Sequence, residues 1–265
     1  MNPTQQRIEE IKRNGYQLDF SNVFNHAFEN YKKIALYAGL IILLFYFILG
    51  VFGSGLVISI FGIESLTKES IENLQHIKLS GQPLVIYMAS MLLLAVIFAP
   101  FTAGFLKMAD CADKDEEFNV STIFHYYRLP YLTNIVVATL IISIINVPVS
   151  AISQALNLSF LGTVISLLIS LFTYLTIPLI IFGNFNAVDA IKTSFMVVSK
   201  QPLMLIGLLI VSGLGAMVGF IGCCIGVIFT IPFIYSMTYA IYSSIIGLDT
   251  FEEIEESNSG PKTFL

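Results

Sequence analysis

Six stretches of this chain contain no Asp, Glu, Lys or Arg: about 34–63, 85–106, 131–157, 160–185, 203–224 and 227–248. A helix rises about 1.5 Å per residue, so about 20 apolar residues cross a hydrocarbon core about 30 Å thick. All six runs meet that length. Inside lipid the backbone must satisfy its own polar groups, and long unbroken apolar runs do so as helices. The sequence therefore predicts an all-α membrane protein with six transmembrane helices. Composition agrees: 12% of residues are charged, against about 25% in soluble domains.

Lys and Arg set the orientation. With six spans both termini share a side. Eleven basic residues fall there: Arg7, Lys12, Arg13, Lys32, Lys33, Lys107, Lys114, Arg128, Lys192, Lys200 and Lys262. The other side holds Lys68 and Lys78. That split predicts cytoplasmic N and C termini. The first 32 residues mix acidic and basic side chains ahead of the first apolar run, so that run reads as a retained anchor and not a cleaved signal. A net charge of −5 argues against a nucleic-acid partner, which needs a basic face.

Three segments align without gaps: "DFSNVFNHAFENYKKI" from 19, "NVSTIFHYYRLPYLTN" from 119 and "NAVDAIKTSFMVVSKQ" from 186. Asp19, Asn119 and Asn186 coincide as helix N-caps, whose side-chain oxygens accept early helix N–H groups. Phe24, Phe28 and Tyr31 share one helical face, as do Val188, Ile191, Phe195 and Val198. Each segment is expected to form an amphipathic surface helix that turns into a span; Pro130 should end the second early. Each unit then continues as a two-span hairpin whose return helix carries a proline: Pro100, Pro178 or Pro232. The expected organisation is a polar segment (1–18), a membrane domain (19–248) with repeats at about 19–112, 119–185 and 186–248, and an acidic tail (249–265).

The "DAIKTSF" type of surface helix and the "IP" pair of the return spans resemble a group of six-span bacterial membrane proteins. The group includes the membrane domain of some glycerophosphodiester phosphodiesterases, and the resemblance covers 19 to about 248. It implies a bacterial cytoplasmic membrane. The phosphodiesterase catalytic domain has no counterpart here, and many members of the group carry no assigned activity. Some are labelled beta-carotene oxygenase-like, but a four-histidine iron centre is impossible in a chain with three histidines.

Residues for other chemistry are sparse. His26 and His125 fall on the cytoplasmic side and His76 opposite, so no metal site joins them, and they read as surface histidines. "DKDEE" at 113–117 lacks the Gly and closing Glu of a calcium loop and reads as a solvated run. The six runs hold no charged residue that would mark ion coupling or aspartyl proteolysis. Cys111, Cys223 and Cys224 show no ligand spacing. Gly215, Gly219, Gly222 and Gly226 read as close packing within the bundle. No cofactor is implied. The strongest polar signal is a stripe on the third span, Thr139, Ser143, Asn146, Ser150 and Ser153, answered on the fourth by Ser166, Ser170 and Thr173. It forms either a packing seam or the lining of a cavity, and the seam is the favoured reading. The leading functional expectation is a non-enzymatic protein with a structural, lipid-binding or partner-binding role, its partners being the bilayer and a membrane or cytoplasmic protein. A passive transporter or channel for a small solute or lipid along the stripe is the alternative, and a membrane-embedded enzyme the third reading.

Overall fold

A computed structural model describes residues 3–61, 82–222 and 225–247. The loop bearing Lys68, His76 and Lys78, the Cys223–Cys224 pair and the acidic tail lie outside those residues. The described chain is all-α: α1 (Pro3–Asn14), α2 (Phe20–Phe61), α3 (Gln82–Asp113), α4 (Val120–Ile123), α5 (Tyr131–Ala155), α6 (Ser159–Phe172), α7 (Thr176–Ile181), α8 (Ala187–Val198), α9 (Pro202–Met217), α10 (Ile225–Thr230) and α11 (Pro232–Ile246). Short 3₁₀ turns fill His125–Tyr127 and Val218–Gly222.

Six segments are long and apolar enough to span a membrane: Phe20–Gly55, Met88–Asp113, Tyr131–Ser153, Ser159–Ile181, Pro202–Ile221 and Gly226–Ile246. The outer surface suits lipid, with Phe52, Phe160, Leu203 and Ile221 each more than 70% exposed. In water such a surface would drive aggregation. The spans are unequal: only 11% of the third is buried, against 56% of the sixth. From Phe233 to Ile246, α11 leaves only Ser244 exposed, because α1, α2, α3, α7 and α9 surround it. The two ends of the described chain meet there, where the Arg7 guanidinium Nε donates to Ile245 O at 3.2 Å. Nearby, burial pushes the Tyr16 phenol up to about 12, so it stays a neutral donor to Val197 O at 3.1 Å.

All three expected cap residues accept a backbone N–H: Asp19 from Asn22 at 2.7 Å, Asn119 from Ser121 at 2.9 Å and Asn186 from Asp189 at 3.0 Å. The helices that start at these caps differ in length. After Asn186, α8 stops at Val198 and α9 starts at Pro202, because proline lacks an N–H and disfavours helix in the residue before it. After Asn119 the helix lasts four residues, ahead of Pro130. After Asp19 no break occurs, which corrects the expected separate surface helix. Between Phe20 and Phe61 there is no proline, so one 42-residue helix runs through. The second span also runs farther than expected, to Asp113.

The apolar faces are divided between the protein interior and its outer surface. Within the first aligned segment Val23, Ala27, Asn30 and Ile34 are the buried positions, while Phe28 is 43% exposed. On α8 the buried set is Ala187, Ala190, Ser194, Val197 and Val198, while Val188 and Phe195 are exposed. The buried sets mix small and branched residues, while the aromatic rings of Phe28 and Phe195 stay exposed. Val23, Ile123 and Ala190, equivalent in the alignment, are all buried.

The return-span prolines have structural consequences. The helix breaks before Pro178 and Pro232 and continues through Pro100. Near each proline a carbonyl receives a hydroxyl from one of the three aligned segments. Tyr127 donates to Ile97 O at 2.8 Å, Ser194 to Phe172 O at 2.8 Å, and Tyr31 to Phe229 O at 3.2 Å. The order is cyclic: the second segment serves the first return span, the third serves the second, and the first serves the third. Ser194 also accepts from Leu175 N at 3.1 Å, so one hydroxyl satisfies both sides of the break before Pro178.

Candidate functional site

The polar stripe does not line one continuous cavity. Ser150, Ser153, Ser166 and Ser170 edge an open groove of about 380 Å³ together with Ser159 and Thr163. Ser143 belongs to a different groove, against Met88 and Leu92. Four hydroxyls turn back onto their own helix: Thr139 to Ile135 O, Ser150 to Val147 O, Ser153 to Ser150 O and Thr173 to Ile169 O, all within 2.8–2.9 Å. The hairpin is tight here, since a Cβ on Gly162 would strike the Ser153 hydroxyl. Asn146 differs: its Oδ1 is buried and has no hydrogen-bond partner. Gly219 and Gly226 also touch, so that a Cβ on either would meet the backbone of the other.

Two further features stand out, one on each face of the N-terminal half of α2. The first is an apolar groove of about 380 Å³ between α2 and α9. Phe24, Phe28 and Tyr31 form one wall, Val211, Leu214 and Val218 the other, and Phe233 of α11 the floor. Four aromatic rings meet in it. Phe24 stacks on Phe28 with centroids 6.2 Å apart, and Phe233 meets Phe24, Phe28 and Tyr31 edge-on at 6.0, 6.5 and 5.5 Å. The Tyr31 hydroxyl is engaged at Phe229 O, which leaves its ring facing the groove.

The second feature is a polar network on the opposite face, among α2, α3 and α11. His26 Nε2 lies 2.6 Å from Asp113 Oδ1. Tyr239, fully buried, donates toward Asp113 Oδ2 at 3.1 Å and Asp110 Oδ1 at 3.3 Å. Asp110 is 3% exposed and takes Lys107 at 2.6 Å and Lys114 at 3.4 Å. Lys33 bonds Asp115 at 2.6 Å and Ala112 O at 2.9 Å. Asn30 donates to Ala109 O at 2.7 Å and accepts from Ser236 at 2.8 Å.

This network corrects two of the sequence-based expectations. His26 is not a free surface histidine, and Asp113 is not part of a solvated run. A limit of 106 for the second span placed Lys107 and Asp110 in a loop. The signal was present as helical spacing: 26, 30 and 33 on α2, and 107, 110 and 114 on α3. Among the described residues no group of three or more His, Cys, Asp and Glu side chains is placed to hold a metal. The network is thus an array of paired charges and hydrogen bonds. The groove is a concave, apolar surface with room for a ligand. Comparison with protein-family models, with curated proteins and with solved structures finds no match for this chain.

Proposed function

We propose that this chain is a non-enzymatic protein of a bacterial cytoplasmic membrane that binds the acyl chain of a lipid in the groove between α2 and α9. The observation that carries the proposal is the groove: four aromatic rings wall an apolar cleft between two candidate spans, and Phe28 and Leu214 at its walls are 43% and 58% exposed. Its volume falls in the range of about 300–1,000 Å³ typical of small-ligand pockets. Each methylene taken from water into such a site is worth about 0.8 kcal/mol; between bilayer and groove the gain is instead dispersion against the rings. Both termini are assigned to the cytoplasm on the eleven-to-two distribution of Lys and Arg.

The chain contains no Trp, so Phe28→Trp creates a single fluorescent reporter in the groove. In detergent micelles carrying a small fraction of brominated-chain phosphatidylcholine, its quenching should saturate at low lipid fraction. A reporter at Leu36→Trp on the same helix, where the leucine is 68% exposed, should follow the bulk lipid fraction. Identical curves would remove the proposal.

One observation favours a second reading. The unpaired, buried Asn146 Oδ1 is the kind of group a water or solute would satisfy, and it supports passive transport along the third span.

A further inference from the structure

The N-terminal half of α2 stands between the groove and the polar network. Phe24, Phe28 and Tyr31 face one, and His26, Asn30 and Lys33 face the other. Whatever holds the second face therefore sets where the first one stands. From the pairing of Asp113 with His26 and Tyr239 we infer that this triad is a proton-operated latch on α2, which controls how well the groove is formed. The inference rests on the lipid-binding reading above and adds its regulation.

The charge pattern motivates it. The network on α2, α3 and the turn after α3 holds three carboxylates. Asp110 is matched by Lys107 and Lys114, and Asp115 by Lys33. Asp113 takes its hydrogen bonds from His26 and Tyr239, and Lys33 also acts on it through space. Its direct partners are therefore neutral until His26 takes up a proton. Protonation turns the 2.6 Å hydrogen bond to the Asp113 carboxylate into an ion pair, and Coulomb attraction between the two opposite charges strengthens it. The groups that face His26 are Asp113 on α3 and Tyr239 on α11, with Asp110, Lys107 and Lys114 behind them and Lys33 and Asp115 beside them. Histidine is the side chain that ordinarily changes charge between about pH 5 and 8, so the latch is closed at the acid end of that range and loosens toward the alkaline end. His125 lies elsewhere, and desolvation with nearby Lys107 and Arg128 holds it below the usual histidine range.

The Phe28→Trp reporter tests this when combined with His26→Gln. Phosphatidylcholine does not change charge between pH 5.5 and 8.5, so any pH dependence belongs to the protein. Quenching should half-saturate at about fivefold less lipid, or lower still, at pH 5.5 than at pH 8.5, the lower end of ordinary coupling between sites. Adding His26→Gln should abolish that difference. The melting temperature without added lipid should also be higher at pH 5.5, and the His26→Gln protein should lose that increment. Equal pH dependence of melting with and without His26→Gln would overturn the latch, whatever lipid does. A His26-dependent melting shift with quenching indistinguishable from that at Leu36→Trp would overturn the lipid reading, and the coupling with it. Lipid binding that is unaffected by pH would overturn the coupling alone.

Discussion

Replacing Ser194 by Ala tests the way this fold repairs a broken membrane helix. Pro178 interrupts the fourth span, and at the break Phe172 O and Leu175 N both turn to the Ser194 hydroxyl, at 2.8 and 3.1 Å. Ser194 and Thr176 are fully buried and Leu175 is 1% exposed, so water has no ready access to replace the hydroxyl. Ser194→Ala leaves a carbonyl and an N–H without a partner, each costing about 1–3 kcal/mol when buried. Interhelical hydrogen bonds in membranes average about 0.6 kcal/mol, because the unfolded chain in lipid finds other partners. Two groups lost at one stroke place the expectation at about 2–3 kcal/mol. The assay is reversible unfolding by titrating a denaturing detergent into lipid-detergent micelles, read by circular dichroism. Ser199→Ala is the internal control: that serine is exposed and bonds Phe195 O of its own helix, so its loss should cost no more than about 0.5 kcal/mol. If Ser194→Ala is as mild as Ser199→Ala, the break needs no clasp and the argument fails.

Asn186→Ala should lower stability by about 1 kcal/mol through loss of the α8 cap, measured in the same titration. Asp110→Asn keeps the shape but strips charge from a site holding Lys107, Lys114 and Tyr239, and should cost about 1.5–3 kcal/mol. Asn146→Leu removes an amide oxygen that already lacks a partner, so stability should stay within about 1 kcal/mol of wild type; a folded variant that loses its cellular phenotype would instead favour the transport reading.

Local features were legible in the sequence where one residue controls them. Six apolar runs foretold six spanning helices, Asp19, Asn119 and Asn186 marked helix starts, and Pro130 marked the early end of the second aligned helix. The same logic failed for the first aligned segment because alignment carried over a break that proline imposes, and residues 34–38 contain none. The helical spacing of 26, 30 and 33 and of 107, 110 and 114 is present in the sequence, but Lys107 closes the uncharged run at 106 and leaves Asp110 outside the span read from it. The groove and the three hydroxyl clasps were not visible. Tyr31 and Phe229, or Phe24 and Phe233, are about 200 residues apart, and nothing in either stretch names its partner. Helix neighbours follow from how faces pack, and on α8 the apolar face is divided, with Val198 buried and Val188 and Phe195 exposed.

The central claim is that a lipid chain occupies the groove between α2 and α9, and native mass spectrometry of the detergent-purified protein tests it most directly. The wild type should carry a bound phospholipid that survives gentle desolvation. Leu214→Trp, which fills the groove from the α9 wall with a bulkier side chain, should carry markedly less, at unchanged helicity and melting temperature. Equal lipid occupancy in a folded Leu214→Trp protein would contradict the account.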